Sequence, residues 1–395
     1  MTSRRNSDSV VVSGMGMVTP LGVNAPESWA RLLDGATAGE WLTDTSWTRP
    51  FEQPPRPWAG CPVAIPRAAH IASRLVQLSQ LAVREAVETA GGIDHVPPER
   101  RACVIGTSKI DLASLDAPNP VEAMFRPNDP AVQIAQEFDC QAAALCPVAA
   151  CATGTVSLLR AAQLIRQGAA DLVIAGSVDA SLHPALLASY DRLGVMARPL
   201  GQPNQACRPF DEDRSGFLVG EGAAAFILER ADCAETHSKK VQILGGSMAA
   251  DPSGMTLVDS TGSRLAHLIR LALEQCQVLP NEIDAVSLHG TATRMNDLAE
   301  SRGLKLVFGR KLPEMPAFAT KGATGHLMGA AGSVESAFAV MSLQQQVLPP
   351  TSNLRQQDPE CKLLLTQEAQ SAQLQTVLKL SLGFGGHMAA VVIRS

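Results

Sequence analysis

The stretch that most constrains the fold runs from Leu145 to Arg160, Leu-Cys-Pro-Val-Ala-Ala-Cys-Ala-Thr-Gly-Thr-Val-Ser-Leu-Leu-Arg. Cys151 stands where a small apolar segment gives way to a helical pattern, with Val156, Leu159, Ala162 and Leu164 recurring at roughly helical spacing. The pattern predicts a helix to Gln167, stopped at Gly168, the residue best suited to a left-handed C-cap. Asp171 to Gly176 then reads as a buried strand, so the unit is of the α/β type. A thiol at a helix N-terminus meets unpaired N–H groups and the positive end of the macrodipole, and both favour thiolate. Ala149, Ala150, Ala152 and Gly154 leave room for a substrate to approach. Taken alone, the stretch fits a nucleophile elbow or a buried structural cysteine, since free cysteine is among the most buried residue types.

Further strands lead into further motifs. Val10 to Val12 predicts a short strand that feeds Gly14-Met15-Gly16, and a helix is expected from Asn24–Pro26 to Gly35. Arg74 to Ala90 predicts an amphipathic helix closed by Gly91-Gly92, and Ala102 to Gly106 a buried strand. Residues 107–133 read as irregular, and Ala223 to Leu228 as another buried strand. Asp284 to Leu288 ends at His289, Ala317 to Thr320 at Lys321, and Val377 to Leu382 at Gly383; Ala389 to Ile393 is the last strand. Motifs that follow strands are expected where ligands sit at the carboxyl ends of an α/β sheet. No internal sequence repeat is detectable. All four tryptophans lie early, at Trp29, Trp41, Trp47 and Trp58, and the Pro-rich residues 41–62 read as a loop pinned by its aromatic side chains.

Several chemistries are disfavoured by the residues themselves. A dinucleotide-binding turn needs a third glycine where Thr19 and Pro20 stand. Cys140, Cys146 and Cys151 lack the spacing of a zinc knuckle, so no metal is expected. A Cys-His-Asn hydrolase needs one histidine and gives no reason for two glycine-threonine motifs. The net charge of −5 and the lack of a basic run interleaved with aromatics argue against nucleic acid. No run of eighteen apolar residues predicts a membrane span. The N-terminus has no apolar signal core, and nine cysteines without framework spacing fit a reducing cytoplasm.

Four motifs in order carry a resemblance. Ala150-Cys151-Ala152-Thr153-Gly154 is followed by His289-Gly290-Thr291-Ala292-Thr293, by Thr320-Lys321 through Gly325-His326 to Glu335, and by Gly383-Phe384-Gly385-Gly386. Together they resemble the β-ketoacyl-acyl-carrier-protein synthases, most of all the elongating type II condensing enzymes, from Val10 to Ile393. The resemblance implies a thiolase-like layered αβαβα sandwich of two similar α/β halves, here 1–238 with the cysteine and 239–395 with both histidines. It implies a decarboxylating Claisen condensation of an acyl thioester with malonyl-acyl carrier protein, in fatty-acid or polyketide/polyene biosynthesis, without metal or organic cofactor. The alternative is a non-catalytic chain-length-factor-like partner, but such partners characteristically lose the nucleophile. Thiolases share the fold, yet pair a second reactive cysteine with one histidine.

Residue by residue, the resemblance makes Cys151 the nucleophile, and His289 and His326 the pair that holds the enolate, supported by Lys321 and Glu335. Phe384 matches a gate whose N–H, with that of Cys151, forms the oxyanion hole; Thr291 and Thr293 match pantetheine-binding positions. Arg198 and Arg126 fall near basic contacts to the acidic carrier protein. The partners implied are that carrier protein and a second ketosynthase-like subunit, in a homodimer or heterodimer. The chain departs from the pattern at Asn296, which replaces a frequent glycine before Asp297 and Glu300, and at His387-Met388. It departs again at Lys109-Ile110-Asp111, where relatives have a glycine-rich run facing the acyl tunnel. Lys109 and Ile110 are therefore expected to wall the acyl pocket. Either Lys109 pairs with Asp111, or both turn outward, or the pocket takes a short or unsaturated acyl chain.

Overall fold

The structure is a computed structural model that describes residues 9–42, 57–66, 73–112, 128–234 and 241–395. The first half contributes β1 (Val10–Val18), β2 (Arg101–Thr107), β3 (Ala143–Leu145), β4 (Leu172–Ala180) and β5 (Val219–Arg230). The second contributes β6 (Gln242–Ala250), β7 (Ala285–Ser287), β8 (Pro316–Phe318), β9 (Leu364–Leu365), β10 (Thr376–Gly383) and β11 (His387–Arg394). Their spatial order is β3-β2-β4-β5-β1-β6-β11-β10-β7-β8-β9. Outward from the middle, the path β1-β5-β4-β2-β3 is repeated as β6-β11-β10-β7-β8. In each copy the second strand is antiparallel to both neighbours and the outer strands are parallel. Where the copies meet, Val11 pairs with Gln242 and the Val12 N–H donates to Val241 O at 2.8 Å. The repeat that the sequence hides is therefore a repeat of topology.

The helices fill three layers. They are α1 (Ala25–Leu33), α2 (Arg74–Thr89), α3 (Asp129–Glu137), α4 (Thr153–Arg166), α5 (Pro184–Arg192), α6 (Ser263–Cys276), α7 (Arg294–Phe308), the single turn α8 (Lys321–Thr324) and α9 (Ala331–Gln345). Apolar residues of α2 and α3 pack on the outer face of the first sheet half, and those of α6 and α7 on the second. Between the sheet halves lie α4 and α9, which occupy equivalent places after β3 and β8. Every residue of α9 from Ala331 to Leu343 is buried, as expected of a helix with no polar face. The two central helices approach backbone to backbone: a Cβ on Gly154 would lie 2.2 Å from Ser333 N, and one on Gly332 would lie 2.5 Å from Thr155 N.

Local expectations hold for most elements and fail for three, one being the loop reading of 41–62, which contains the short strand Ala59–Cys61 paired with Val219 and Gly220. Asn24 caps α1 by accepting the Glu27 N–H at 2.8 Å, and Gly35 and Gly168 both adopt positive φ just beyond helices, at 71° and 69°. However, β1 does not end at Gly14-Met15-Gly16 but runs through to Val18. These glycines serve packing rather than a turn, because Cβ atoms there would lie 2.1 Å from Ala86 O and 2.3 Å from Ala82 O of α2. The segment read as irregular over 107–133 contains the start of α3, with Pro130 in its first turn where a missing N–H costs nothing. Trp29 and Trp58 are buried, and Trp29 Nε1 donates to Gln345 Oε1 at 2.8 Å; Trp41 is exposed, and Trp47 lies outside the described residues.

Candidate active site

Cys151 sits at an elbow. After β3 the chain passes through a 3₁₀ turn, Ala150–Ala152, directly into α4. Ala150 takes a φ of 47°, a left-handed conformation that costs a non-glycine residue about 1–3 kcal/mol and persists only where neighbours enforce it. Thr153 does so: its hydroxyl donates to Ala150 O at 2.7 Å and accepts the Ala149 N–H at 2.9 Å. Two further left-handed residues flank the other motifs, Ala292 between Thr291 and Thr293 and Met328 after His326, with φ of 59° and 47°.

Three elements of the second half bring their residues to the same place. Past β7, His289 is fixed by α7, because Glu300 accepts the N–H groups of His289 and Gly290 at 2.6 and 2.7 Å. Asn296 donates its amide to the same carboxylate at 2.8 Å, so the departure from glycine adds a third bond to this anchor. From α8, Lys321 Nζ lies 3.3 Å from His289 Nδ1 and 2.5 Å from Glu335 Oε1, and also donates to His289 O. His326 is held by its backbone to Leu218 O at 2.7 Å, and its Nδ1 accepts the Met328 N–H at 3.3 Å. The two imidazoles stand edge to face with centroids 5.5 Å apart, and Phe217 packs edge-on against His326 at 4.9 Å.

These contacts decide the protonation of both rings. Burial, with the nearby Lys321 ammonium next, holds His289 and His326 well below the usual histidine range, so both are neutral. Each Nδ1 faces a donor, and the proton of a neutral ring then resides on Nε2. The site thus contains two preorganised N–H donors rather than a general base.

Cys151 corrects a sequence expectation. Its helix N-terminal place predicts a lowered pKa, but burial pushes the thiol up to about 11. The Lys109 and Lys321 ammonium groups and the Phe384 N–H, which hydrogen-bonds the sulfur, pull it down without offsetting that burial; Asp179 adds to the rise. A cavity of about 730 Å³ joins Cys151, His289, His326 and Phe384 to the surface, with Thr291 and Thr293 on its wall. Those hydroxyls are 2.8 Å apart. Exposed Arg198, Leu193, Leu257 and His387 stand at its rim. Arg126 lies outside the described residues. The Phe384 loop is held without the missing amide at Met388: Gly385 N–H donates to Met255 O at 2.7 Å and Gly386 O accepts Asp251 N–H at 2.8 Å. Met388 itself is buried in the core.

The expected acyl wall lies apart from the cavity just described. Neither Lys109 nor Ile110 lines this cavity. Lys109 and Asp111 do not pair with each other, and Lys109 does not turn outward. Its ammonium lies 3.2 Å from Asp179 Oδ2 and 2.6 Å from Ser181 Oγ, because Asp179 is fully buried and needs a cation. Asp111 instead accepts the Arg74 N–H at 2.7 Å, at the start of α2. Two participants escaped sequence reasoning, Asp179 and Lys379. Lys379 Nζ lies 2.7 Å from Glu335 Oε2, and both lysines on that carboxylate are fully buried. The available signal was a single lysine inside the apolar run Val377 to Leu382.

Comparison with known proteins agrees with this geometry. The family "Beta-ketoacyl synthase, N-terminal domain" matches residues 7–234, and "Beta-ketoacyl synthase, C-terminal domain" matches 241–355. A relative from Streptomyces rimosus named "Oxytetracycline polyketide putative beta-ketoacyl synthase 1" is 31% identical, with 100% of this chain and 98% of the relative covered. The 3-oxoacyl-[acyl-carrier-protein] synthase 2 of Mycobacterium bovis is 32% identical, over 97% and 96% of the two chains. Among solved structures, a type II polyketide ketosynthase bound to the hexaketide, in complex with its acyl-carrier protein, superposes with a TM-score of 0.90. It is 26% identical, and 98% of this chain and 99% of that one are covered. The chain belongs to the β-ketoacyl synthase family.

Proposed function

We propose that this protein joins an acyl thioester to malonyl-acyl carrier protein by decarboxylating Claisen condensation, giving β-ketoacyl-acyl carrier protein. The observation that carries the reading is the meeting of one thiol and two neutral imidazole donors in a single cavity. Cys151 exchanges its S–H for the acyl group and the carrier's pantetheine leaves as a thiol, so the exchange is balanced. The malonyl Cα–carboxylate bond then breaks, carbon dioxide leaves, and the electron pair becomes an enolate. The Nε2–H groups of His289 and His326 hold the enolate oxygen, with Lys321 and Glu335 orienting His289. The α-carbon attacks the Cys151 thioester; the N–H groups of Cys151 and Phe384 hold the resulting oxyanion until the sulfur leaves. Thr291 and Thr293 bind the pantetheine arm along the cavity wall, and Arg198, with Arg126, meets the carrier protein.

The remaining assignments belong to the same reading. The halves divide as 1–238 and 239–395, two subunits pair as a homodimer or with a related ketosynthase-like chain, and the enzyme works in the cytoplasm. Family likeness supports the pairing, since the ishigamide ketosynthase/chain length factor, 28% identical, aligns over 98% of this chain at a TM-score of 0.85. With Lys109 paired to Asp179 and off the cavity wall, the charge that would have favoured a short or unsaturated acyl group does not face the cavity, and chain length stays outside this proposal. Intact mass after incubation with acyl-carrier-protein thioester tests the reading. An enzyme gains one acyl group, and Cys151→Ala does not; an unchanged wild-type mass identifies a non-catalytic partner.

A further inference from the structure

The Glu335 carboxylate is gripped from two sides. Lys321 approaches Oε1 at 2.5 Å and Lys379 approaches Oε2 at 2.7 Å, with both ammonium groups fully buried. Lys379 projects from β10, the strand that ends at the Phe384 loop, and donates also to Leu380 O. Stability alone does not call for this arrangement. Lys321 already neutralises Glu335, and a second buried cation carries a desolvation cost that an apolar side chain of the same length avoids. What the second ammonium adds is a charge at the other oxygen: Oε2 makes no hydrogen bond, but the ion pair with Lys379 at 2.7 Å opposes rotation of Glu335 away from Lys321.

We propose that Lys379 is a positioning residue for condensation. It locks Glu335, Glu335 locks Lys321, and Lys321 holds His289 in the ring orientation and tautomer that present Nε2–H to the enolate. The inference rests on the function proposed above. Its charge acts in the same direction as burial and Lys321, the larger causes, in keeping both histidines below the usual range. The groups facing His289 are Lys321, His326, Lys379 and, at its backbone, Glu300; those facing His326 are Lys321, Lys109 and Lys379. Cys151 lies outside this influence, since the charges acting on it are Lys109, Lys321 and Asp179.

The test is Lys379→Met, which keeps length and removes charge. Decarboxylation of malonyl-carrier protein and condensation should fall about tenfold to hundredfold in kcat with KM unchanged, the scale of a misplaced reacting group. With one cation fewer, the histidine pKa values rise, so the acid limb of the kcat profile moves to higher pH. Alkylation of Cys151 by iodoacetamide should keep its wild-type rate, which a general loss of structure would not allow. Should this variant fail to fold, Lys379→Gln keeps a polar side chain there without the charge, and is expected to shift the acid limb with a smaller loss in kcat. Wild-type kcat and pH profile in either folded variant overturn the proposal, as does failure of both to fold, which makes Lys379 a structural residue. If the wild-type protein does not decarboxylate malonyl-carrier protein, it is the functional reading that fails, not the assignment of Lys379.

Discussion

Gly154→Ala sets two effects of opposite sign against each other. Within an exposed helix the change gains about 1 kcal/mol, because glycine is the poorer helix former. Here the added methyl would lie 2.2 Å from Ser333 N, 2.6 Å from Ser177 Oγ and 2.7 Å from Ser333 Oγ. The first of these is backbone and cannot swing aside. An ordinary contact is at least 3.4 Å, so α4 and α9 must separate by roughly 1 Å, an overpacking cost of about 1–3 kcal/mol. The Ser177–Ser333 hydrogen bond, 2.8 Å long, would be strained as well. Clash therefore outweighs propensity, and the variant should be less stable in chemical denaturation. Function should suffer more. Cys151 rides three residues before Gly154 and Glu335 two residues after Ser333, so the separation displaces the nucleophile from the histidine support. A displacement of about 1 Å can cost roughly a hundredfold in rate. Stopped reactions of acyl-enzyme with malonyl-carrier protein would measure it. A variant as stable and as fast as wild type would refute the claim that rigid helix contact sets the site's geometry.

Other outcomes follow from the site. His289→Ala and His326→Ala should each lose about 3 kcal/mol of transition-state stabilisation, roughly a hundredfold in condensation, while Cys151 still alkylates; His387→Ala, at the exposed rim, should lose much less. Because the Cys151 thiol is pushed up to about 11, its thiolate fraction grows as pH rises, and alkylation should accelerate from pH 7 with no plateau before about 10. Lys109→Met removes the cation that most lowers this pKa, so alkylation at a given pH should slow; equal rates would show that Lys109 does not act on the sulfur. Arg198→Glu should raise KM for carrier-protein substrates, more so at low salt, and leave a small pantetheine thioester unaffected. Equal damage to both substrates would place Arg198 in the chemistry instead of at the docking rim.

The parts of this molecule legible in its sequence are those whose information is local. Cys151, His289, Lys321 and Phe384 each follow a short apolar run, and the glycines and threonines around them are needed by turns within a few residues. Helix ends at Gly35 and Gly168 were readable for the same reason. What was hidden depends on partners far along the chain. Gly14 and Gly16 look like a turn until α2, some seventy residues later, is seen pressed against them. Lys109 looked like a charge facing an acyl chain because its counter-ion, Asp179, comes from another strand. The thiol's pKa could not be read either, since a helix N-terminus is visible in sequence whereas burial is not. The two similar halves were legible only through the family resemblance and not as a sequence repeat, because pairing order can persist when side chains have diverged.

Carbon–carbon bond formation at Cys151 should accompany loss of the malonyl carboxyl. The most direct measurement mixes isolated acyl-Cys151 enzyme with malonyl-carrier protein carrying ¹³C in the free carboxyl, and follows both the carrier-protein mass and the released label. β-Ketoacyl-carrier protein and labelled carbon dioxide are expected in equal amounts, with Cys151 returned to the free thiol. Cys151→Ala should release some labelled carbon dioxide and acetyl-carrier protein but no condensed product. Condensed product that retains the label, or wild-type protein that releases the label while its acyl group stays on Cys151, would contradict it.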